Sequence, residues 1–135
     1  MIDPSEYFAA SPAGQPTSEG SFVALDGVSP VEFLAGLEMR PIVTDRMLVN
    51  FVSYEPDTVV PEHSHGEEQI TFVLEGEFEF WIGDDKRILR PGTVAVIPSW
   101  VPHGARTYDS HCRQVDVFCP PRQVLLEALK KAGRA

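Results

Sequence analysis

The chain has 135 residues, with 11 basic and 20 acidic side chains and a formal net charge of -9 at pH 7. That length fits one domain able to bury a core without disulfide or metal staples. The acidic balance argues against nucleic acid and anionic membrane as partners, since both call for basic surfaces, and admits an acidic ligand only where a local cationic pocket receives it.

Residues 1 to 20 mix Pro4, Pro12, Pro16, Gly14 and Gly20 with serines and few large apolar groups, which reads as a mobile or loosely docked arm without chemistry. No basic and apolar leader pattern opens it, and no apolar run approaches the ~20 residues of a bilayer span, so a soluble cytoplasmic protein is expected. From residue 21 to 121 short apolar runs alternate with turn residues: FVAL, VEFLAGLEMRPIV, MLVNFVSY, ITFVLEGEFEFWI, RIL, TVAVIP and RQVDVFCP. Within them Phe78 and Phe80 alternate with Glu77 and Glu79, the period-2 mark of a strand with one face in the core. The rhythm predicts an all-β domain. GDDK at residues 83 to 86 predicts a hairpin, and RPGT at 90 to 93 a tight turn. After Pro120 and Pro121 the pattern changes, and residues 122 to 135 read as a short helix, with Val124, Leu125 and Leu129 on one stripe and basic residues late. Neither an internal repeat nor a second domain is visible. Cys112 and Cys119 match no zinc-ligand or CxxC spacing and are few for a secreted scaffold, so they read as reduced thiols.

The segment HSHGEEQ at residues 63 to 69 carries the strongest chemical signal. In a strand, His63 and His65 would share a face, which is ligand spacing. Gln69 follows four residues later, and His103 arrives from IPSWVPHG after further strands. Three imidazole nitrogens and one amide oxygen could close on a divalent transition metal with positions left open, the neutral donor set suiting Zn, Ni, Fe, Co or Mn alike. Two alternatives stand beside this: buried histidines that merely hydrogen-bond, and Glu67 or Glu68 as ligands through a register slip at a bulge.

PEHSHGEEQITFVLEG resembles the first cupin motif and PGTVAVIPSWVPH the second, ending in the third histidine. The resemblance implies a double-stranded β-barrel, a jelly roll, with a metal at its mouth held by His63, His65, Gln69 and His103. Two positions depart from the pattern: Asp57 and Trp100 stand where the motifs usually have glycine. Asp tolerates a left-handed backbone better than most residues. Trp100 reads either as a ring packed over the barrel mouth or as a surface aromatic at a turn. Many cupins carry Glu where this chain has Gln69; the amide leaves the protein ligands uncharged, which strengthens a bound metal as a Lewis acid.

Asp116 and Phe118 share a strand face opposite Val115 and Val117. If that face lines the cavity, a carboxylate stands near the metal among apolar walls that would raise its pKa. Beyond the ligands, residues 23 to 122 are similar to the pectin-degradation cupins, the KdgF group, through EQITFVLEGEFEF, IPSWVPHGA and QVDVFCPPR. That similarity implies conversion of a ring-closed 4,5-unsaturated uronate to its linear keto form. It also implies Asp116 for proton transfer, Phe118 as a cavity wall and Arg122 for gripping an anionic, oxygen-rich small molecule. Blander roles remain open: Asp116 as a solvated partner of Arg113 or Arg106, Phe118 as core, and Arg122 as a turn cap. His111 reads as an exposed turn histidine. Competing functions are an isomerase or cyclase of secondary metabolism, a metal-dependent dioxygenase, and a ligand-binding domain without turnover. An exposed edge strand in so small a barrel predicts a homodimer.

Overall fold

The computed structural model describes residues 1–9 and 14–134; Pro12 of the expected arm and the last residue of the expected helix fall outside them. The described part of the arm contains α1 (Pro4–Tyr7), a single turn whose N-cap, Asp3, accepts from the amide of Ser5 at 2.9 Å. The run FVAL forms no strand. Leu25–Gly27 is a 3-10 turn, and the Arg40 guanidinium donates to the carbonyls of Leu25 and Val28 at 3.0 Å each, which holds this segment against the sheet.

Ten strands follow: β1 (Val31–Leu34), β2 (Leu37–Val43), β3 (Leu48–Tyr54), β4 (Val59–His63), β5 (Glu68–Gly76), β6 (Phe78–Ile82), β7 (Asp85–Leu89), β8 (Val94–Ile97), β9 (His103–Arg106) and β10 (Cys112–Cys119). They form a six-stranded sheet, β1-β2-β3-β10-β5-β8, and a four-stranded sheet, β4-β9-β6-β7, antiparallel throughout. Inward residues of both sheets meet in one core, among them Leu48, Val52, Phe78, Phe80, Ile97 and Phe118. The predicted all-β jelly roll is the observed fold.

Both predicted turns form where their glycines allow. Gly83 has φ +56° and opens the two-residue loop that joins Ile82 to Asp85, a glycine-first hairpin. Gly92 has φ +102° after Pro91, and the Thr93 amide closes the turn on the Arg90 carbonyl at 3.2 Å. At the C-terminus α2 (Gln123–Lys131) docks by Leu125 and Leu129, with Lys130 and Lys131 in its last turn. Val124, placed on the same stripe by its spacing, is instead 61% exposed. Among the described residues no helix is long and apolar enough to cross a membrane.

Candidate metal centre

Two strand ends and a loop bring the histidines together. His63 is the last residue of β4, His103 the first of β9, and the two are direct cross-strand partners. His65 lies beyond the strand, so the expectation that it shares a strand face with His63 is corrected: the loop at residues 64–67 turns it inward. One ring nitrogen of each, an atom that could hold a metal, lies within 4.8 Å of the other two. Gln69, the second residue of β5, points from the opposite sheet, and its Oε1 is 3.1 Å from Nε2 of both His65 and His103.

Protons decide what this arrangement can do. Each imidazole places Nδ1 against a backbone carbonyl: His63 on Pro61 at 2.8 Å, His65 on Glu67 at 3.0 Å and His103 on Val101 at 2.9 Å. A carbonyl only accepts, so Nδ1 carries the hydrogen and, in the neutral ring, Nε2 is a bare lone pair. Burial pushes His103 from 6.5 down to about 4 and lowers His65 as well, helped by the Arg122 charge, so both rings are neutral at pH 7. The Gln69 amide is oriented by its other end, whose Nε2 donates to Thr71 Oγ1 at 2.8 Å and to Asp116 Oδ1 at 3.0 Å. Two nitrogen lone pairs and an amide oxygen thus converge with no hydrogen between them. Lone pairs at such distances repel, and a cation at their centre turns that repulsion into coordination. Ligand atoms about 2.0–2.2 Å from a shared cation lie roughly 3.0–3.5 Å apart, the spacing of the Gln69 oxygen from the His65 and His103 nitrogens. The donor set therefore fits a divalent transition metal, and its chemistry leaves the metal's identity open.

Asp116 sits at the middle of β10, half-buried, on the inward face. It pairs with neither Arg113, which meets Glu75 at 3.4 Å, nor Arg106, which meets Asp57 at 3.8 Å. Its Oδ1 accepts from Thr71 Oγ1 at 2.6 Å as well as from Gln69, and its Oδ2 from Gln114 Nε2 at 3.1 Å. Burial raises its carboxyl above the usual carboxylate range, against the pull of those hydrogen bonds and of His63. Phe118, two residues on, packs its ring edge-on to His65 with centroids 5.7 Å apart.

Arg122 stands at the N-cap position of α2 without a side-chain capping bond, and its guanidinium lies 3.8 Å from Glu67. Glu67 is not turned toward the Nε2 cluster. Its Oε2 accepts from the Gln123 amide at 2.7 Å, and its Oε1 lies 3.6 Å from His65 Nδ1. Burial works to raise the Glu67 carboxyl, but the Gln123 amide and Arg122 prevail and hold it below the usual range. Glu68 is exposed, so neither glutamate takes the ligand role that a register slip would give it. Glu67, which the sequence offered as an alternative ligand, instead ties the His65 loop, Arg122 and the start of α2 into one unit. His111 is exposed beside Glu55 at 3.1 Å, away from the cluster. Trp100 has φ +68°, its amide donates to the His65 carbonyl at 2.8 Å, and its ring covers Gly66 while remaining 69% exposed.

A model of the cupin domain matches residues 50–118, the span that carries the histidines, Gln69, Asp116 and Phe118. The chain belongs to the cupin family. Within it, this cupin is 29% identical over 101 residues to the pectin degradation protein KdgF of Dickeya dadantii, covering 73% of this chain and 92% of that protein. It is 39% identical over 73 residues to the dimethylsulfoniopropionate lyase DddQ of Ruegeria pomeroyi, covering 53% of this chain but only 36% of the longer relative. Among solved structures, KdgF from Halomonas sp. superimposes with a TM-score of 0.73 at 27% identity, over 78% of this chain and 99% of that one. The cupin thus resembles the KdgF group in both sequence and fold.

Proposed function

We propose that this cupin is a metal-dependent, non-redox enzyme that converts a 4,5-unsaturated uronate into its linear keto form. The observation that carries the reading is the hydrogen bond joining the Gln69 amide to Asp116, which sets a proton-exchanging carboxylate directly beside a neutral donor set. Similarity to KdgF over nearly the whole of that protein supports the substrate class. The relative named as a lyase supports a reaction without electron transfer.

In this reading His63, His65, His103 and Gln69 hold a divalent cation, which supplies Lewis acidity toward a substrate oxygen. Arg122 binds the substrate carboxylate with its planar fork of donors, a local positive charge on a chain of net charge -9. Phe118 forms an apolar wall beside His65 and keeps the ring in register with Asp116. Asp116 exchanges a proton with the substrate as water adds across the double bond, and the resulting hemiketal opens to the ketone. The ring oxygen leaves with C1, which then carries two hydroxyls and releases one water as the aldehyde forms, so the conversion is an isomerisation with no net water and no change of oxidation state. A carboxyl held above its usual range suits this task, because it can carry a proton closer to neutral pH.

The test is direct. Metal-loaded protein mixed with the unsaturated galacturonate released by a pectin lyase should abolish the ultraviolet absorbance of the conjugated double bond. Arg122→Ala should raise KM while leaving metal content intact. Loaded wild-type protein that leaves unsaturated galacturonate and guluronate products unchanged ends the uronate reading.

A further inference from the structure

Pro98, Ser99, Trp100 and Val101 form a tight turn, closed by the Val101 amide on the Pro98 carbonyl at 3.3 Å. Trp100 is its third residue, with φ +68°. A positive φ at that position calls for glycine or asparagine, because a side chain there crowds the backbone, and a bulky aromatic is an outlier. Strained residues of this kind cluster at ligand clamps and active sites. A surface tryptophan alone needs no explanation. This one combines a strained backbone with an indole left 69% exposed.

Its place in the fold gives the ring a use. β8 and β10 flank β5, where Ile97 and Phe118 are the two cross-strand partners of Gln69. Both run antiparallel to β5, so both leave the sheet at the same end of the barrel, β8 leading to Trp100 and β10 to Arg122. The loop that carries His65 passes between them. On one side Glu67 meets the Gln123 amide at 2.7 Å and Arg122 at 3.8 Å. On the other the Trp100 amide donates to the His65 carbonyl at 2.8 Å, and the ring rests on Gly66, where a Cβ would meet Cζ2 at 3.1 Å. Neighbouring strands lie ~4.8 Å apart, so the two flanking segments stand roughly 10 Å from each other, a gap that one sugar-acid ring can bridge.

We propose that Trp100 is a substrate-binding residue: its free indole face stacks on the ring of the unsaturated uronate while Arg122 holds the carboxylate. This deepens the uronate reading and rests on it. The ring double bond, conjugated with the carboxylate, flattens one side of the sugar, and a flat π-bearing face matches an indole better than the puckered chair of a saturated sugar. Ring opening destroys that face. Trp100 therefore holds the substrate more tightly than the linear product, which favours release after each turnover.

The chain has two tryptophans, so Trp81→Phe leaves Trp100 as the one indole. In the metal-loaded double variant Trp81→Phe, Asp116→Asn, which turns over slowly, unsaturated galacturonate should shift the Trp100 emission saturably to shorter wavelength. In the otherwise wild-type chain Trp100→Gly should raise KM about tenfold and leave kcat within about twofold, the mark of binding lost equally from ground and transition states. Metal content should be unchanged and the melting temperature no lower, because glycine takes φ +68° without strain. Trp100→Phe should recover most of the affinity. Should Trp100→Gly fail to fold, Trp100→Asn, which also tolerates the left-handed turn, decides by the same KM. An unmoved emission, an unchanged KM, or a loss of metal showing that the ring only braces the His65 loop overturns the proposal and leaves the uronate reading standing. Wild-type protein without turnover ends the uronate reading instead, and the emission shift then decides the role of Trp100 by itself.

Discussion

Gln69 and Asp116 are joined by one hydrogen bond, Nε2 to Oδ1 at 3.0 Å, and that bond, with the one to Thr71 Oγ1 at 2.8 Å, sets which end of the amide faces the histidines. Two substitutions separate its consequences. In Asp116→Asn the remaining carbonyl still accepts from Gln69 and Thr71, while the new NH₂ faces Gln114. The Oε1 of Gln114 has no hydrogen-bond partner, so that amide can turn and accept. Metal affinity should therefore stay within a few-fold, while turnover falls by roughly 10²–10⁴ for want of a proton carrier. In Asp116→Ala the Gln69 amide loses its anchor, and metal affinity should drop about 10–100-fold as well. Equal metal binding by both variants, measured by competition with a chromophoric chelator, would show that the bond does not orient the ligand.

Histidine burial predicts an acid-sensitive apo-protein. The folded value of His103, about 4, lies below the ordinary 6.5, so between these the unfolded chain takes up a proton that the folded one refuses. Its contribution to stability is whole above 6.5 and is lost as pH falls toward 4; His65 shifts in the same direction. Asp116 opposes this, since a raised carboxyl pKa favours the folded state on acidification. Asp116→Asn removes that opposition. Metal-free Asp116→Asn should show a lower urea midpoint at pH 5 than at pH 7, and ring-proton NMR should keep His103 neutral at pH 5. A His103 ring that titrates near 6.5 refutes the argument.

Chemical type and the grouping of the four donors with Asp116 were legible in the sequence, and the finer placement was not. HSH, Gln69 and His103 carry lone pairs whatever the fold, and period-2 runs such as FEFWI announce their inward face. What could not be read depends on contacts between distant segments. Glu67 reads in the sequence as an alternative ligand because its partners, Arg122 and Gln123, lie more than fifty residues on. His65 looks like a strand partner of His63 because nothing local says that β4 stops there. FVAL has a strand's composition, but the Arg40 guanidinium takes the carbonyls of Leu25 and Val28 and leaves a turn.

The two cysteines should report their surroundings by reaction. Cys112 is fully buried at the start of β10, and burial, seconded by the Glu77 charge, pushes its thiol up to about 12. Cys119, at the strand's other end, is exposed. The thiolate is the reacting species, so Cys112 is protected twice, by access and by protonation. An aromatic disulfide reagent should modify one thiol per native chain and two after unfolding. Rapid reaction of both in the native state would mean that this end of the barrel opens.

Gly104 links packing to the site, because it follows His103 on β9 beneath Trp81. A methyl group there would meet Trp81 Cζ2 at 2.3 Å, Cε2 at 2.7 Å and the Val60 carbonyl at 2.9 Å. The indole cannot simply swing aside. Its Nε1 donates to Glu62 at 3.2 Å, and Lys86 sits over the ring. The Val60 oxygen is backbone of β4, the strand that ends in His63, so relief must come from moving β9 against β4. Gly104→Ala should therefore destabilise the fold by about 1–3 kcal/mol. It should also separate His103 from His63, which are cross-strand partners, and weaken metal binding in parallel. Thermal melts of the metal-free protein isolate the first effect, and chelator competition at a temperature where the variant is folded isolates the second. A variant with lowered melting temperature but unchanged metal affinity would show that the His63–His103 spacing is set elsewhere, by the carbonyls of Pro61 and Val101 that anchor the two rings.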